Sequence, residues 1–357
     1  MVTIEQLTDA LRGVMDPELG RNIVDLGMVR DMAVVDNQVS FTLALTTLAC
    51  PLSGRIVEDA QQAIARLDSS LQVQVQLAEM SDADKQALVG QGGAEERPFA
   101  ERLNQIGHVV AVMSGKGGVG KSTVAALLAV ALRHRGLRVG VLDADITGPS
   151  IPKMFGLHDR PLISPLGLLP VESRTGVKVI SINLLLEDEG QAVIWRGPLI
   201  AGTIRQFWGE VFWRDLDYLV IDLPPGTSDA SLTVMQTIPL NGVLMVTSPQ
   251  DLAGMVVRKA AQMAIQLHIP LLGLVENMSY AVCPKCGERI EVFGPSQAAD
   301  TAFQIGAPVL GYLPLDPALA MMCDAGQIED YPAAPFALIA ERVVTLMPQT
   351  PIKPAFR

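Results

Sequence analysis

Cysteine is scarce in this chain: four in 357 residues, too few for a disulfide-stapled scaffold. In a reducing setting, closely spaced cysteines point first to metal or redox chemistry. Long apolar runs are missing as well. The hydrophobic fraction is 49%, yet no uncharged stretch reaches the roughly 18–20 residues a helix needs to cross a bilayer. Basic residues are in deficit, 27 Lys plus Arg against 38 Asp plus Glu, for a formal charge of −11. Such a field repels nucleic acid and anionic lipid unless a local basic patch overcomes it. The densest patch, "RHRGLR" (133–138), reads as a solvated helix end. No nucleic-acid or membrane partner is therefore expected. The four histidines fall beside no nucleophile in a motif that would support acyl or hydride transfer. The opening "MVTIEQLTDA" carries acids where a secretory leader carries basic residues, so a cytoplasmic location is expected. The Pro-rich "PQTPIKPAFR" (348–357) does not suit an amphipathic helix, and no internal repeat is visible.

What is present divides into two patterns. Residues 3–14 have helical spacing, "MVRDMAVVDNQVSFTLAL" reads as two strands joined at "DN", 53–67 as a helix, and the strictly alternating "LQVQVQL" (71–77) as a strand. These form a small α+β domain over residues 1–80. The polar, Gly-interrupted stretch 81–105 reads as a linker. From residue 106 to 357, near-continuous apolar β-rich runs at 108–115, 138–145, 177–183, 217–226, 242–249, 270–278 and 308–314 alternate with helical stretches. That pattern predicts an α/β domain with a mainly parallel sheet covered on both faces. Ligands of such sheets bind at the carboxyl ends of the strands, where each motif below falls.

"SGKGGVGKST" (114–123) follows the first of these strands and opens a helix. It fits GxxxxGK[ST] through Gly115, Gly120, Lys121 and Ser122. Glycines let the backbone of Gly115, Lys116, Gly117, Gly118, Val119 and Gly120 curl so that N–H groups face a phosphate, and the helix start at Lys121, Ser122 and Thr123 adds partial positive charge. Lys121 is placed to reach the terminal phosphates and Ser122 to ligate Mg²⁺. "VLDADITGPS" (141–150) sets Asp143 and Asp145 after the second strand, and "YLVIDLPPGTSD" (218–229) ends a strand on Asp222, which fits the Walker B role. The Pro-Pro-Gly turn that follows reads as a γ-phosphate sensor.

The extra lysine makes "GKGGVGKS" similar to the deviant Walker A signature of the MinD, ParA and nitrogenase iron protein group. That resemblance implies an ATP-dependent dimer in which Lys116 crosses to the partner's nucleotide. It also implies that Asp143 supports Mg²⁺ through water, that Asp145 orients or activates the attacking water, and that Asn277 in "VENMS" reads the adenine edge.

Cys283 and Cys286 lie in "CPKCG", whose Pro and Gly suit a knuckle with N–H groups turned toward sulfur. Structural zinc and iron–sulfur sites usually take four protein ligands, and this segment supplies two. Cys50 and Cys323 are one source of the rest. A closed two-fold dimer, which brings two identical pairs together, is another. Cys323 reads as a small apolar residue on a helix.

Taken together, "GKGGVGKST", "LDADITGPSIP", "IWRGP", "DYLVIDLPPGTSD", "ENMSYAVCPKCG" and "FGP" resemble the Mrp/ApbC family of iron–sulfur cluster carrier ATPases across nearly the whole chain. "DPELGRNIVDLG" and "ACP" resemble the small domain of SufT- and PaaD-like assembly proteins. In that setting Cys50 reads either as a reactive thiol or as a buried turn residue. Thr147 stands where relatives more often carry Tyr. The resemblance implies a homodimer that slowly hydrolyses ATP, bridges a labile [4Fe–4S] cluster through Cys283 and Cys286 of each subunit, and passes it to apo iron–sulfur proteins. A ParA- or MinD-like positioning ATPase, and an ATPase with a purely structural zinc site, remain alternatives, because zinc and iron both accept thiolates.

Overall fold

The structure is a computed structural model that describes residues 2–16, 22–35, 37–45, 53–68, 70–80, 99–186, 188, 197–332 and 334–350. Cys50, most of "DPELG" and "IWRGP", and linker residues 81–98 lie outside these residues. The chain divides into two compact units, Met1–Arg97 with Ile163–Gly167, and Pro98–Leu162 with Leu168–Arg357.

In the first unit, helix Ile4–Leu11 starts at Thr3, whose hydroxyl accepts from the Gln6 N–H while the Gln6 side chain accepts from the Thr3 N–H. This reciprocal cap satisfies two otherwise orphaned donors. Strands β1 (Val29–Val35), β2 (Gln38–Leu45) and β3 (Gln72–Glu79) form one sheet in that order, with β1 antiparallel and β3 parallel to β2. Helix Ser53–Leu67 connects β2 to β3. The core is drawn from the apolar stripe of both helices and one face of the sheet, including Leu7, Leu11, Phe41, Leu43, Ile56 and Ile64.

The strands that follow are β4 (Gln105–Ser114), β5 (Val139–Asp143), β6 (Leu162–Ser164), β7 (Gly167–Leu169), β8 (Val171–Glu172), β9 (Lys178–Ile180), β10 (Asp215–Asp222), β11 (Gly242–Thr247), β12 (Leu271–Val282), β13 (Arg289–Ile290) and β14 (Val309–Pro314), all in the second unit except Ile163 and Ser164 of β6 and Gly167 of β7. Among the described residues its main sheet runs β13-β12-β11-β4-β10-β5-β9-β8, with β14 also on β12. Every pair is parallel except β8–β9 and β12–β13. Successive residues of β4 serve opposite faces. Val110 and Val112 pack with helices Lys121–His134 and Ala334–Leu346, and Val109, Ala111 and Met113 pack with helices Gly197–Gly209, Asp229–Thr237, Asp251–Gln266 and Ala298–Ile305. A strand buried on both faces has no polar side, so the runs are continuously apolar.

Within the expected linker, "EERPFAERL" (95–103) has some helical character in the sequence, and Phe99–Leu103 is a helix ahead of β4 at Gln105. Two details differ from the sequence expectation. The expected strand over 177–183 is only Lys178–Ile180, because Ile182–Leu184 turns into a 3₁₀ helix. "RHRGLR" is not a merely solvated end. Arg138 reaches Asp217 at 2.8 Å and Asp215 at 3.5 Å, and Arg133 donates to the Thr175 carbonyl at 2.6 Å.

Two turns meet backbone to backbone at Gly156 and Gly326, where a Cβ on Gly326 would fall 2.5 Å from the Gly156 Cα. Gly326 also has φ 71, a conformation costly for any other residue. Gly326→Ala is therefore expected to destabilise the second unit by about 2 kcal/mol or more, read by urea denaturation. An unchanged midpoint would show that the two turns separate freely.

Candidate nucleotide site and cysteine hairpin

The direction of the connections reverses around β4: the chain runs from β4 to β5 on one side, and later from β10 across to β11 on the other. A crevice opens at the carboxyl ends of strands at such a switch point, and residues 115–120 lie there between β4 and the helix that begins at Lys121. Gly115 passes so close to the Val256–Val257 peptide that a Cβ would overlap it. Gly120 has φ 76, and a Cβ on it would strike Asn277 Nδ2. Asn277 is buried on β12 and donates through Nδ2 to the Val119 carbonyl at 3.0 Å. The residue that family resemblance associates with adenine thus braces the phosphate loop here. Ser122 and Thr123 occupy the helix's first turn, and Gly117 lies 3.9 Å, measured from an ideal Cβ, from the Pro225 ring.

Sheet register brings the acids together. Asp143 ends β5 and Asp222 ends β10, and the two are direct Cα partners. Both are fully buried, with Lys121 between them and solvent at 6% exposure. The Lys121 ammonium donates to Asp222 Oδ1 at 2.6 Å, lies 3.9 Å from Asp145 Oδ2 and 3.2 Å from Ser122 Oγ. Asp143 accepts from Ser181 Oγ at 3.0 Å and the Asp145 N–H at 3.2 Å. One cation faces two buried carboxylates, and it neutralises the one it touches. Burial, followed by the charge of Asp222, pushes the Asp143 carboxyl up to about 8, against the pull of Lys121. Burial also raises Asp222, but Lys121 offsets this by charge and by hydrogen bond. Asp222 Oδ2 is buried with no hydrogen-bond partner. A pocket short of one positive charge, with a carboxylate oxygen unpartnered inside it and a hydroxyl beside it, fits a hydrated divalent cation.

The surrounding residues complete the phosphate end. The Gly226 N–H donates to the Ser114 carbonyl at 2.9 Å, which ties the Pro-Pro-Gly turn to the end of β4. Thr147 donates to Asp145 Oδ1 at 3.3 Å. The Lys116 ammonium, expected to reach across a dimer, hydrogen-bonds Gln250 of its own chain. Sequence reasoning passed over Ser181 and Gln250. Both lie just beyond a strand's carboxyl end, the position where a polar residue in an α/β sheet is worth noting.

The cysteines form a separate hairpin beyond the end of β12. Ala281 pairs with Ile290 and Val282 with Arg289. The Cys283 N–H then donates to Glu288 O, and the Gly287 N–H to Cys283 O, both at 2.9 Å. N–H groups of Cys286 and Lys285, then the Cys286 thiol, lower the Cys283 thiol below its usual range. Cys283 is half-buried and Cys286 exposed. Cys323 is the opposite case. It sits on helix Pro317–Asp324, and burial pushes its thiol up to about 11. Among the described residues, no group of three or more His, Cys, Asp or Glu is placed to hold a metal, so the hairpin offers two ligands.

A P-loop at the switch point of a parallel sheet, with its lysine paired to a strand-end aspartate, defines a P-loop NTPase of the α/β class. The chain belongs to the NUBPL iron-transfer P-loop NTPase family, whose model matches residues 105–347, and residues 4–77 match the model of the iron–sulfur cluster assembly protein domain. A relative from Synechocystis, named iron-sulfur cluster carrier protein, is 41% identical over 332 residues that cover 91% of each chain. A solved nucleotide-binding protein from Archaeoglobus fulgidus in complex with ADP is 49% identical, with a TM-score of 0.59, covering 66% of this chain and 93% of that one. The cell-division ATPase MinD of Pyrococcus furiosus, 22% identical with a TM-score of 0.50, covers 67% of this chain and 99% of its own and shares the fold. No described helix is long and apolar enough to cross a membrane.

These shifts carry two predictions. A carboxyl raised in the folded state holds a proton that the unfolded chain has lost. Its stabilisation is complete below the unfolded value of 3.8 and is lost as pH rises toward about 8. Without nucleotide or divalent cation, urea stability should fall from about pH 5 to about pH 8 by up to about 1.4 kcal/mol per unit from this group. Asp143→Asn should flatten that slope; an equal slope in the variant would place the proton elsewhere. For the cysteines, iodoacetamide at neutral pH with peptide mass analysis should label Cys283 on the order of 100-fold faster than Cys323, and comparable rates would contradict the assigned thiol states.

Proposed function

We propose that the chain is a Mg²⁺-ATP-dependent carrier of iron–sulfur clusters, acting as a homodimer in the cytoplasm. The observation that carries this reading is the cysteine hairpin: two ligands held in an N–H-lined turn, one of them with a lowered thiol, and no third ligand beside them among the described residues. Two copies related by a two-fold axis supply four thiolates, the usual complement of a [4Fe–4S] cluster. Cluster delivery is then a ligand exchange: thiolates of an apo-protein replace Cys283 and Cys286 of each subunit, with no net electron transfer.

At the nucleotide site, N–H groups of residues 115–120 cradle the phosphates and Lys121 turns from Asp222 to the terminal phosphates. Ser122 would hold Mg²⁺ directly, and Asp143 and Asp222 through water. The ion would neutralise phosphate charge in the transition state. Asp145 accepts a proton from the attacking water, whose oxygen bonds to the γ-phosphorus as the bond to the β–γ bridging oxygen breaks, giving ADP and phosphate. Lys116 leaves Gln250 and reaches the partner's nucleotide, so dimer geometry responds to ATP. Asn277 holds the loop and faces the base. Hydrolysis is slow and timed to cluster release, since ATP can shift the cargo only by favouring a geometry that holds it differently.

Anaerobic reconstitution with iron and sulfide should give about two irons per chain in a dimeric species, lost in Cys283→Ser. Transfer to an apo-acceptor should respond to ATP in the wild type but not in Lys121→Ala. Stoichiometric zinc surviving the same treatment would favour a structural metal site, and ATP-insensitive transfer would break the link between the two sites.

A further inference from the structure

A cavity of about 540 Å³ opens in the second unit at the opposite end of the sheet from the phosphate loop. Its walls include Lys178, the first residue of β9, and Arg214, immediately before β10. Both lie at the amino ends of their strands, whereas the nucleotide residues lie at the carboxyl ends of theirs. Arg160 contributes a third cation, and Leu169, Val171 and Phe212 give the cavity an apolar side.

The charges here are unusual for this chain. Acids outnumber bases 38 to 27, and neighbouring arginines are paired: Arg138 with Asp215 and Asp217, and Arg174 with Asp330 at 2.6 Å. Among the described residues, none of Arg160, Lys178 and Arg214 has a carboxylate within 4.0 Å. Asp159 and Glu172 also line the cavity, and Glu172 is the Cα partner of Lys178 across β8–β9, yet neither closes an ion pair with the three cations. Lys178 is half-buried, and its ammonium donates to the Trp213 carbonyl at 2.7 Å. Burial and then the nearby Arg214 lower its affinity for a proton, so an anion arriving beside it would relieve an existing cost.

Arg214 is held in place at some expense. Its φ is 60, a left-handed conformation that a long side chain rarely adopts. It is fixed from both sides: its N–H donates to Asn104 Oδ1 at 3.0 Å, and its carbonyl accepts from the Gln105 N–H at 3.0 Å. The guanidinium stacks over Phe212, 5.6 Å from the ring centroid. Strain that is over-determined by its surroundings is characteristic of ligand sites. Here it brings a flat cation and an aromatic ring into the same cavity.

We propose that this cavity binds a small organic carboxylate with an apolar body, its carboxylate received by Lys178 and Arg214 and its body by Phe212, Leu169 and Val171. Arg160, exposed at the rim, adds charge for attraction rather than a fixed contact. An inorganic anion would satisfy the cations and leave the apolar wall unused, and a neutral ligand would leave the cations unpaired. The site is independent of the cluster-carrier reading, because none of its residues belongs to the phosphate loop or the cysteine hairpin.

The test uses the full chain and three probes, 3-phenylpropanoate, its neutral amide, and inorganic phosphate, followed by isothermal titration. The expected result is saturable binding of 3-phenylpropanoate with Kd below about 1 mM, and at least about tenfold weaker binding of the other two. Lys178→Met and Arg214→Gln should each weaken it about tenfold or more with ATP affinity unchanged. Arg160→Gln, at an exposed position, should weaken it less and more strongly at low salt, which keeps the test open if either inner variant fails to fold. No saturation by about 10 mM, phosphate binding as tightly as the carboxylate, or full affinity in the variants would each overturn the proposal.

Discussion

The ion pair between Lys121 and Asp222 organises the centre of the second unit. Two strand-end carboxylates, Asp143 and Asp222, are placed side by side by the β5–β10 register and sealed from water. Two such charges repel, and each is costly in a low-dielectric interior. Lys121 at 2.6 Å neutralises Asp222, and Asp143 responds by holding its proton. The same lysine is the residue a P-loop uses on phosphate. In the proposed function, nucleotide and a divalent cation would be exchange partners for contacts that already exist: Lys121 would turn to phosphate and the cation would take over the positive charge that Asp222 loses.

A single strand links this centre to the cysteines. β12 carries Asn277, which braces the loop at Val119, and six residues later the chain reaches Cys283, at most about 20 Å away along an extended strand. The intervening backbone is irregular. Register shifts between Glu276 and Tyr280, and Met278 has φ 57. Buried Glu276 fixes this bulge by accepting from Ser279 Oγ at 2.5 Å and from the Gln297 N–H at 3.1 Å. The bulge re-aims the end of β12 toward the hairpin, a common use of such irregularities beside functional sites.

Much of this was legible in the sequence, for definite reasons. A strand covered by helices on both faces has to be apolar throughout, so β4, β10 and β11 announced themselves by composition. Glycines at 115 and 120 were legible because backbone and side-chain neighbours exclude any Cβ there. β6, β7 and β8 were not legible: at two or three residues each and half-exposed, they are too short to show a period. Ser181 and Gln250 were missed because a single polar residue gains meaning only from strand order, which no local window contains. The resemblance expects Asn277 to read the adenine edge, whereas its hydrogen bond to Val119 depends on β12 passing beside the loop, a tertiary fact. The cavity around Lys178 and Arg214 was still less accessible, since its walls come from four separated stretches of chain.

Under the proposed function, a half-site for metal at the end of a strand would place a demand on the rest of the molecule. Two thiolates in an open hairpin bind a four-coordinate centre poorly on their own, and the exposed Val282, Ile290, Val292 and Phe293 around them are costly to leave in water. In the proposed dimer both deficits would be met by one event, the arrival of a second set of thiolates on an apolar surface. Ligand completion and apolar burial would then favour the same assembled state. Cys323 shows why the requirement is not met within the described chain: burial keeps its thiol protonated at neutral pH, and a protonated thiol is a poor ligand for either zinc or iron.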